Sequence, residues 1–339
     1  MTVIEIAKRA GVSIGTVDRV LHNRGRVSTE TREKIQKIID EEGYQPNPLA
    51  RHLKRNRDYK IGVIIPELRK ESSYWQLLYN GILKAVEELS PFSFSIQLFE
   101  FNRPIVDSFL AAFNEMLEAR CNAWIIAPVM QEETLGVLTN LEKPVPYVFI
   151  DSPLPLAKPV TTVAQNPFQG GYAAGRVMDL ISHSSGPFAV IRPFTEAFNL
   201  NERARGFIKW FSNRKEIKII DVVCPEHQMQ ETLLILEKTM KENPDLKGVF
   251  VVSAMVHKIA EFFETHYVGS KITVIGYDLV PLNCAMLKED KIDCLISQRP
   301  EEQGRLVLQQ LYKTLVLEEE TDKQIEMPID IYFKENLQL

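Results

Sequence analysis

Thr2-Val3-Ile4-Glu5-Ile6-Ala7-Lys8-Arg9-Ala10-Gly11-Val12-Ser13-Ile14-Gly15-Thr16-Val17-Asp18-Arg19-Val20-Leu21 is the stretch from which the rest of the chain can be read. Thr2 and Glu5 have the spacing of a capping box, so a helix can start almost at once, and Val3, Ile6, Ala7 and Ala10 recur on one face of it. Gly11 suits the left-handed position that ends a helix, Val12 plugs the corner, and Ser13 caps a second helix with Val17, Val20 and Leu21 on its inner side. Ser28 then starts a third helix, which Gly43 stops, and Ile35, Ile38 and Ile39 close a small core. Two short helices joined by a Gly-containing turn form a helix-turn-helix, whose second helix lies in the major groove of double-stranded DNA.

Charge points the same way. Residues 1–60 hold 13 Lys or Arg against 8 Asp or Glu, whereas the other 279 residues hold 27 against 37. The overall net charge of −5 hides this division. Only the amino-terminal end is built to meet phosphate.

Residues 2–65 resemble the lactose-repressor (LacI) family of bacterial transcription regulators. The likeness runs through Ile6-Ala7-Lys8-Arg9-Ala10-Gly11-Val12-Ser13, Thr16-Val17, Arg19-Val20-Leu21, Val27-Ser28, Thr31-Arg32, Gly43-Tyr44, Pro46-Asn47, Ala50-Arg51-His52-Leu53 and Ile61-Gly62-Val63. The resemblance implies that Ile14, Gly15, Arg19 and Arg26 face base edges, and that Thr2, Ser13, Thr16, Ser28, Thr31 and Asn47 bond phosphate oxygens and so set register. An Arg at the Arg19 position can donate two hydrogen bonds to one guanine, worth ~1–3 kcal/mol of discrimination. It also implies a hinge helix between Asn47 and Lys54 that drives Leu53 between base pairs from the minor groove. Two departures matter. Asp18 brings a carboxylate close to phosphate unless Arg9 or Arg19 pairs with it, and Gly15 has no side chain to read a base.

From Tyr59 the pattern changes to apolar runs alternating with amphipathic helices. Strands are predicted at Ile61–Ile65, Phe94–Phe101, Ala123–Ala127 and Pro146–Ile150, and again at Phe188–Ile191, Ile217–Val223, Gly248–Val252 and Ile272–Ile275. A repeated βα pattern means a parallel sheet covered by helices, and some 280 residues are too many for one such unit. The predicted architecture is an all-α helix-turn-helix head followed by an α/β core of two lobes with doubly wound parallel sheets, similar to periplasmic sugar-binding proteins. The expected division is residues 1–45 for the head, 46–58 for hinge and linker, and 59–339 for ligand binding and dimerisation. The first lobe is expected over about 59–163 and 282–298, and the second over about 164–281 and 299–333.

Ligands of such sheets sit beyond the carboxyl ends of the strands. The resemblance carries three residues onto this cleft: Asp151 after Phe149-Ile150, Arg203 in Arg203-Ala204-Arg205-Gly206-Phe207, and Asp278 after Gly276-Tyr277. Arginine forks and carboxylates each make two bonds to neighbouring hydroxyls, which suits a sugar. Asp151 and Asp278 can equally cap turns, and Arg205 competes with Arg203. Tyr74 and Trp75, after the first strand, offer ring faces or core packing. Gln298 falls in the family's crossover between lobes.

The chain lacks a phosphate-binding Gly-Lys-Ser/Thr loop, an H-E-x-x-H pair and a G-x-S-x-G elbow, so no catalytic residue, metal or cofactor is expected. Cys121, Cys224, Cys284 and Cys294 lack zinc-ligand spacing. The chain opens on a DNA-binding helix and contains no membrane-length apolar run, which places it in the cytoplasm. The residues to Leu339 carry no leucine heptads that would join dimers into tetramers. Together these readings predict a homodimeric transcription regulator, read as a repressor, with a near-palindromic operator and a sugar-like effector. A nucleobase or sugar phosphate is the competing effector, with Arg192 and Ser253 available for phosphate. A sugar-modifying enzyme with a DNA-binding head and a transport solute-binding protein are the competing classes.

Overall fold

The computed structural model describes residues 1–21, 24–44, 57–68, 73–193, 197–225, 228–267, 269 and 271–337. It divides into two compact units, Met1–Arg57 and Asp58–Leu339.

The first unit holds α1 (Val3–Ala10), α2 (Ile14–Leu21) and α3 (Thr29–Glu42). Its predicted punctuation is present in detail. The Thr2 N–H donates to the Glu5 carboxylate at 2.7 Å while the Glu5 N–H donates to Thr2 Oγ1 at 3.3 Å. Gly11 and Gly43 take left-handed φ values of 71° and 59°, which residues with a Cβ rarely adopt. Ile6, Val17 and Ile35 are fully buried at the centre of the core, with Ala7, Ala10, Val20 and Ile38 around them. Arg9 pairs with Glu41 and Glu42, clamping α1 to α3.

The second unit contains two six-stranded sheets. In the first, the strands are β1 (Tyr59–Pro66), β2 (Phe94–Phe101), β3 (Ala123–Ile126), β4 (Tyr147–Ile150), β5 (Thr162–Gln165) and β11 (Gln324–Met327), in the spatial order β11-β5-β4-β3-β1-β2. The second combines β6 (Phe188–Pro193), β7 (Ile219–Cys224), β8 (Gly248–Val251), β9 (Thr273–Tyr277), β10 (Cys294–Ser297) and β12 (Asp330–Tyr332), in the order β12-β10-β9-β8-β6-β7. All neighbours are parallel except β10 and β12. Near-continuous burial of strands such as Ile61–Ile65 fits parallel sheets with helices on both faces.

The helices are α4 (Tyr74–Glu88), α5 (Val106–Glu118), α6 (Gln131–Thr139), α7 (Pro167–Ile181), α8 (Phe198–Phe211), α9 (Met229–Glu242), α10 (Val256–His266), α11 (Pro281–Lys288) and α12 (Pro300–Tyr312). In each lobe one helix pair packs with its backbones almost touching. A Cβ at Gly81 of α4 would stand 1.9 Å from the Glu301 carbonyl oxygen, and one at Gly171 of α7 would stand 1.8 Å from that of Arg203. Only glycine permits either crossing.

The carboxyl-terminal segments exchange lobes in the opposite sense to the expected one. β10 joins the second sheet, Cys294 opposite Ile275, whereas α12 packs on α4 and β11 pairs with β5 in the first. Only β12 of the 299–333 segment belongs to the second lobe. The eight predicted runs correspond to β1–β4 and β6–β9, but Thr162–Gln165, Cys294–Ser297, Gln324–Met327 and Asp330–Tyr332 are strands that the apolar pattern does not predict, and partner choice depends on long-range register. The chain therefore crosses between lobes three times, after Gln165, after Ser297 and after Met327. Gln165 joins all three: its Nε2 donates to Ser297 O at 3.0 Å and to Pro328 O at 2.9 Å.

Candidate functional site

Asp151 and Asp278 occupy matching places beyond β4 and β9. Both are buried, and both adopt left-handed backbone with φ of 72° and 66°. Such strained positions persist only where surroundings over-determine them, and they gather at functional sites. The Asp151 N–H donates to Val163 O and to Gln303 Oε1, both at 3.1 Å, and the Asp278 N–H donates to Ile296 O at 2.7 Å.

Their carboxyl groups are brought into one buried cluster. Tyr74 Oη donates to Asp151 Oδ1 at 2.5 Å, and Asn199 Nδ2, from α8 of the other lobe, donates to Asp151 Oδ2 at 2.8 Å. Gln298 Nε2 donates to Asp278 Oδ2 at 3.2 Å, and Gln303 Nε2 donates to Gln298 O at 2.9 Å. Arg203, only 2% exposed, donates from Nη1 to Val252 O at 2.9 Å and lays its guanidinium 3.7 Å from the Tyr277 ring centroid. Arg205 instead stands exposed over Phe168 and pairs with Glu202, so Arg203 is the arginine of the cleft. Trp75 is buried edge-on to Tyr74 in the core of the first lobe.

Two polar atoms of this cluster are buried without a hydrogen-bond partner among the described residues, Arg203 Nε and Asp278 Oδ1. One donates and the other accepts. Burial pushes the Asp278 carboxyl up to about 7, against the pull of Arg203 and with a further push from Asp151. Asp151 is also raised by burial, opposed by Arg203, the Tyr74 hydroxyl and Asn199. Tyr74 is held well above its ordinary value by burial and the two carboxylates.

Sequence reasoning missed Asn199, Gln303, Tyr277 and Gln165. Asn199 precedes Arg203 by four residues on one helix, a spacing that puts both on the same face and was there to be used. The others touch the site through tertiary contacts that no local pattern signals. Arg192, a possible phosphate ligand, is held bidentately by Asp221 at 2.9 Å and 2.9 Å and also donates to Asn201 at 3.2 Å.

On the amino-terminal unit, α2 buries Val17 and Val20 and turns Ser13, Ile14, Gly15 and Arg19 outward, Ile14 being 50% exposed. Arg26 is exposed in the following loop. Gly25, at φ 70°, lets that loop lie against the Arg19 stem, since a Cβ there would come within 3.2 Å of Arg19 Cδ. The Ser13 and Thr16 hydroxyls are 2.9 Å apart, and Ser28 Oγ donates to Thr31 Oγ1 at 2.7 Å. Thr2 is occupied in its capping box. Asn47, Leu53 and the hinge lie outside the described residues. Among the described residues no His, Cys, Asp and Glu group could hold a metal ion, and no helix is long and apolar enough to cross a membrane.

An exposed helix-turn-helix followed by a two-lobed core with a buried polar cleft defines a ligand-responsive, DNA-binding transcription regulator. Residues 2–47 match the model of bacterial regulatory proteins of the lacI family, and residues 61–319 match that of the periplasmic binding protein domain. The chain is 30% identical over 285 residues to the HTH-type transcriptional repressor PurR of Erwinia tasmaniensis, covering 82% of this chain and 81% of that one. To the ribose operon repressor of Halalkalibacterium halodurans it is 25% identical over 290 residues, covering 83% and 81%. The crystal structure of a putative LacI transcriptional regulator from Bacteroides fragilis superposes with a TM-score of 0.76 at 28% identity, covering 83% of this chain and 98% of that one. The chain belongs to the lacI family of bacterial regulatory proteins.

Proposed function

We propose that this regulator is a repressor that binds a near-palindromic operator as a homodimer in the cytoplasm and senses a neutral monosaccharide in the cleft. The observation that carries the effector class is the buried, unpartnered pair of Arg203 Nε and Asp278 Oδ1. A donor and an acceptor buried in one cleft suit a polyol, whose hydroxyls donate and accept at once. Asp151, Tyr74, Asn199 and Gln298 extend the same chemistry, and a relative is named for the ribose operon.

A sugar phosphate fits less well. Two carboxylates face Arg203, and Arg192 is already neutralised by Asp221. Bringing a dianion to Asp151 and Asp278 would add like-charge repulsion inside a low-dielectric site. The full-length relatives at this similarity are named as transcription repressors, which supports a binding role for the cleft.

In the proposed mechanism the ligand fixes the angle between lobes about the three crossovers held by Gln165. In a dimer this angle sets the separation of the two linkers and hence operator affinity, a coupling free energy between two sites. Ile14, Arg19, Arg26 and Leu53 supply base readout, with Gly15 at a base-facing position, and Thr2, Ser13, Thr16, Ser28, Thr31 and Asn47 supply phosphate contacts.

A thermal-shift panel of D-ribose, D-arabinose, D-allose, hypoxanthine and ribose 5-phosphate tests the effector class, since a specific ligand raises apparent stability by mass action. The expected result is stabilisation by one neutral sugar and abolition of that response in Arg203→Ala. Stabilisation by the phosphate ester or the nucleobase alone overturns the sugar reading. Selection of duplexes from a random pool, with the complex sized by light scattering, should return inverted repeats bound by two chains; a salt-insensitive, sequence-blind result rejects the operator reading.

A further inference from the structure

Asn283 lies five residues after Asp278, in α11, and is 0% exposed. Its Nδ2 stands 2.9 Å from Tyr277 O, 3.0 Å from Asp278 O and 3.0 Å from Ala254 O. Its Oδ1 accepts from the backbone N–H of His257 at 3.2 Å and lies 2.8 Å from His257 Nδ1. The opposite amide orientation would set an oxygen against three carbonyls, so the assignment follows from electrostatics, and His257 must carry its proton on Nδ1. Two amide hydrogens serve three carbonyls, which leaves no donor spare.

These contacts fasten two neighbouring strand ends. Tyr277 ends β9 and Asp278 follows it, and Ala254 lies just past β8, the adjoining strand. Two residues before Ala254 is Val252, whose carbonyl anchors Arg203. The Asn283 clamp therefore sets the spacing between the loop that holds Arg203 and the turn that carries Asp278. Those are the two residues with unpartnered atoms in the cleft. The left-handed backbone of Asp278 needs such a restraint, because a non-glycine residue leaves that conformation when its surroundings loosen.

We propose that Asn283, oriented by His257, is a positioning residue for effector recognition, holding the Arg203 guanidinium and the Asp278 carboxyl at the separation the ligand requires. This rests on the cleft being the effector site, and it extends that reading to a pair of residues that touch no ligand themselves.

The test uses the full chain as wild type, Asn283→Ala, His257→Phe and His257→Asn, the last placing an amide donor where Nδ1 faces Asn283 Oδ1. Carbon-13 NMR of labelled aspartate follows the Asp278 carboxyl without ligand, and calorimetry well below the melting temperature measures binding of D-ribose, D-arabinose and D-allose. Asn283→Ala and His257→Phe are expected to move the Asp278 midpoint away from its wild-type value and to weaken the preferred sugar at least tenfold. His257→Asn should restore both. A merely structural Asn283 lowers the melting temperature yet leaves midpoint and sugar affinity unchanged, and that outcome overturns the proposal. If none of the three sugars binds wild type, the sugar reading fails by itself, while the NMR midpoints still decide whether Asn283 positions Asp278. Should Asn283→Ala not fold, the His257 pair decides the matter alone.

Discussion

Asp151 and Asp278 end corresponding strands in the two lobes, share a left-handed backbone and are equally buried, yet their carboxyl groups are treated differently. Asp151 has both oxygens occupied, one by Tyr74 of its own lobe and one by Asn199 of the other. Asp278 has one oxygen on Gln298 and the other unpartnered. Their backbones are also held differently, Asp151 by Gln303 and Asp278 by Asn283, each a fully buried amide. One acid is bonded across the lobes, while the other keeps an oxygen without a hydrogen-bond partner among the described residues, where the proposed ligand would bind.

Arg203→Ala should break this comparison most severely, because it leaves both acids buried without their shared cation. It removes the cation whose pull opposes the rise of both carboxyls and leaves Val252 O without its donor, an unsatisfied buried group that costs about 1–3 kcal/mol. The effector response should disappear, whereas the amino-terminal head keeps its own core and operator binding should survive. Thermal melts and operator titrations with and without sugar check both parts; a variant that still responds to ligand would remove Arg203 from the site.

Asp278→Asn and Asp151→Asn sharpen it. Hydrogen bonds to a charged group are worth about 1.5–3 kcal/mol, so Asp278→Asn should weaken effector binding by roughly tenfold to a hundredfold. Asp151→Asn should act mainly on closure, since the bonds it loses lie within the protein. The two also differ with pH. Asp278 is raised to about 7 in the folded chain, so folding favours its protonated form. The stability it contributes is complete below the unfolded carboxyl value and is lost as pH rises through about 7. Ligand-free wild type should therefore melt at lower temperature at pH 8 than at pH 5.5, and Asp278→Asn should flatten that slope. An unchanged slope would mean that Asp278 is ionised throughout.

Gln165→Leu probes the axis about which the two acids approach. It strips two crossover carbonyls, Ser297 O and Pro328 O, of their donor, and an unsatisfied buried polar group costs about 1–3 kcal/mol. Lobe motion should become less restricted, so that ligand stabilises the variant less than wild type at equal occupancy. Equal stabilisation would show that the crossovers are held adequately without it.

The division of labour between the acids was only partly legible in the chain. Asp151, Arg203 and Asp278 are carried onto the cleft by the resemblance to the family, whereas the residues alone leave turn caps and Arg205 as alternatives. The head is legible almost completely, because caps such as Thr2 with Glu5 and stops such as Gly11 and Gly43 act over three or four residues. What stayed hidden is what forms at long range. Gln303 reaches Asp151 from a helix 152 residues away. The sheet to which Cys294–Ser297 belongs is decided by register against Thr273–Tyr277 rather than by composition. For the same reason the last two segments were assigned to each other's lobes.

The smallest effect belongs to Tyr74→Phe, and it bears most directly on why one acid is saturated. The ring and its packing on Trp75 are kept, so only the hydroxyl donated to Asp151 Oδ1 is lost. Asp151 would then have a single side-chain donor, Asn199, and would resemble Asp278. Its carboxyl, already raised by burial, should rise further, because the Tyr74 hydrogen bond helps to hold it down. Stability should fall by about 1–2 kcal/mol near neutral pH and recover as the acid protonates, since a neutral carboxyl no longer needs that donor. If Tyr74 is merely a packing ring, the melting temperature and the Asp151 midpoint will both stay at their wild-type values, and the asymmetry between the two acids must then come from Asn199 alone.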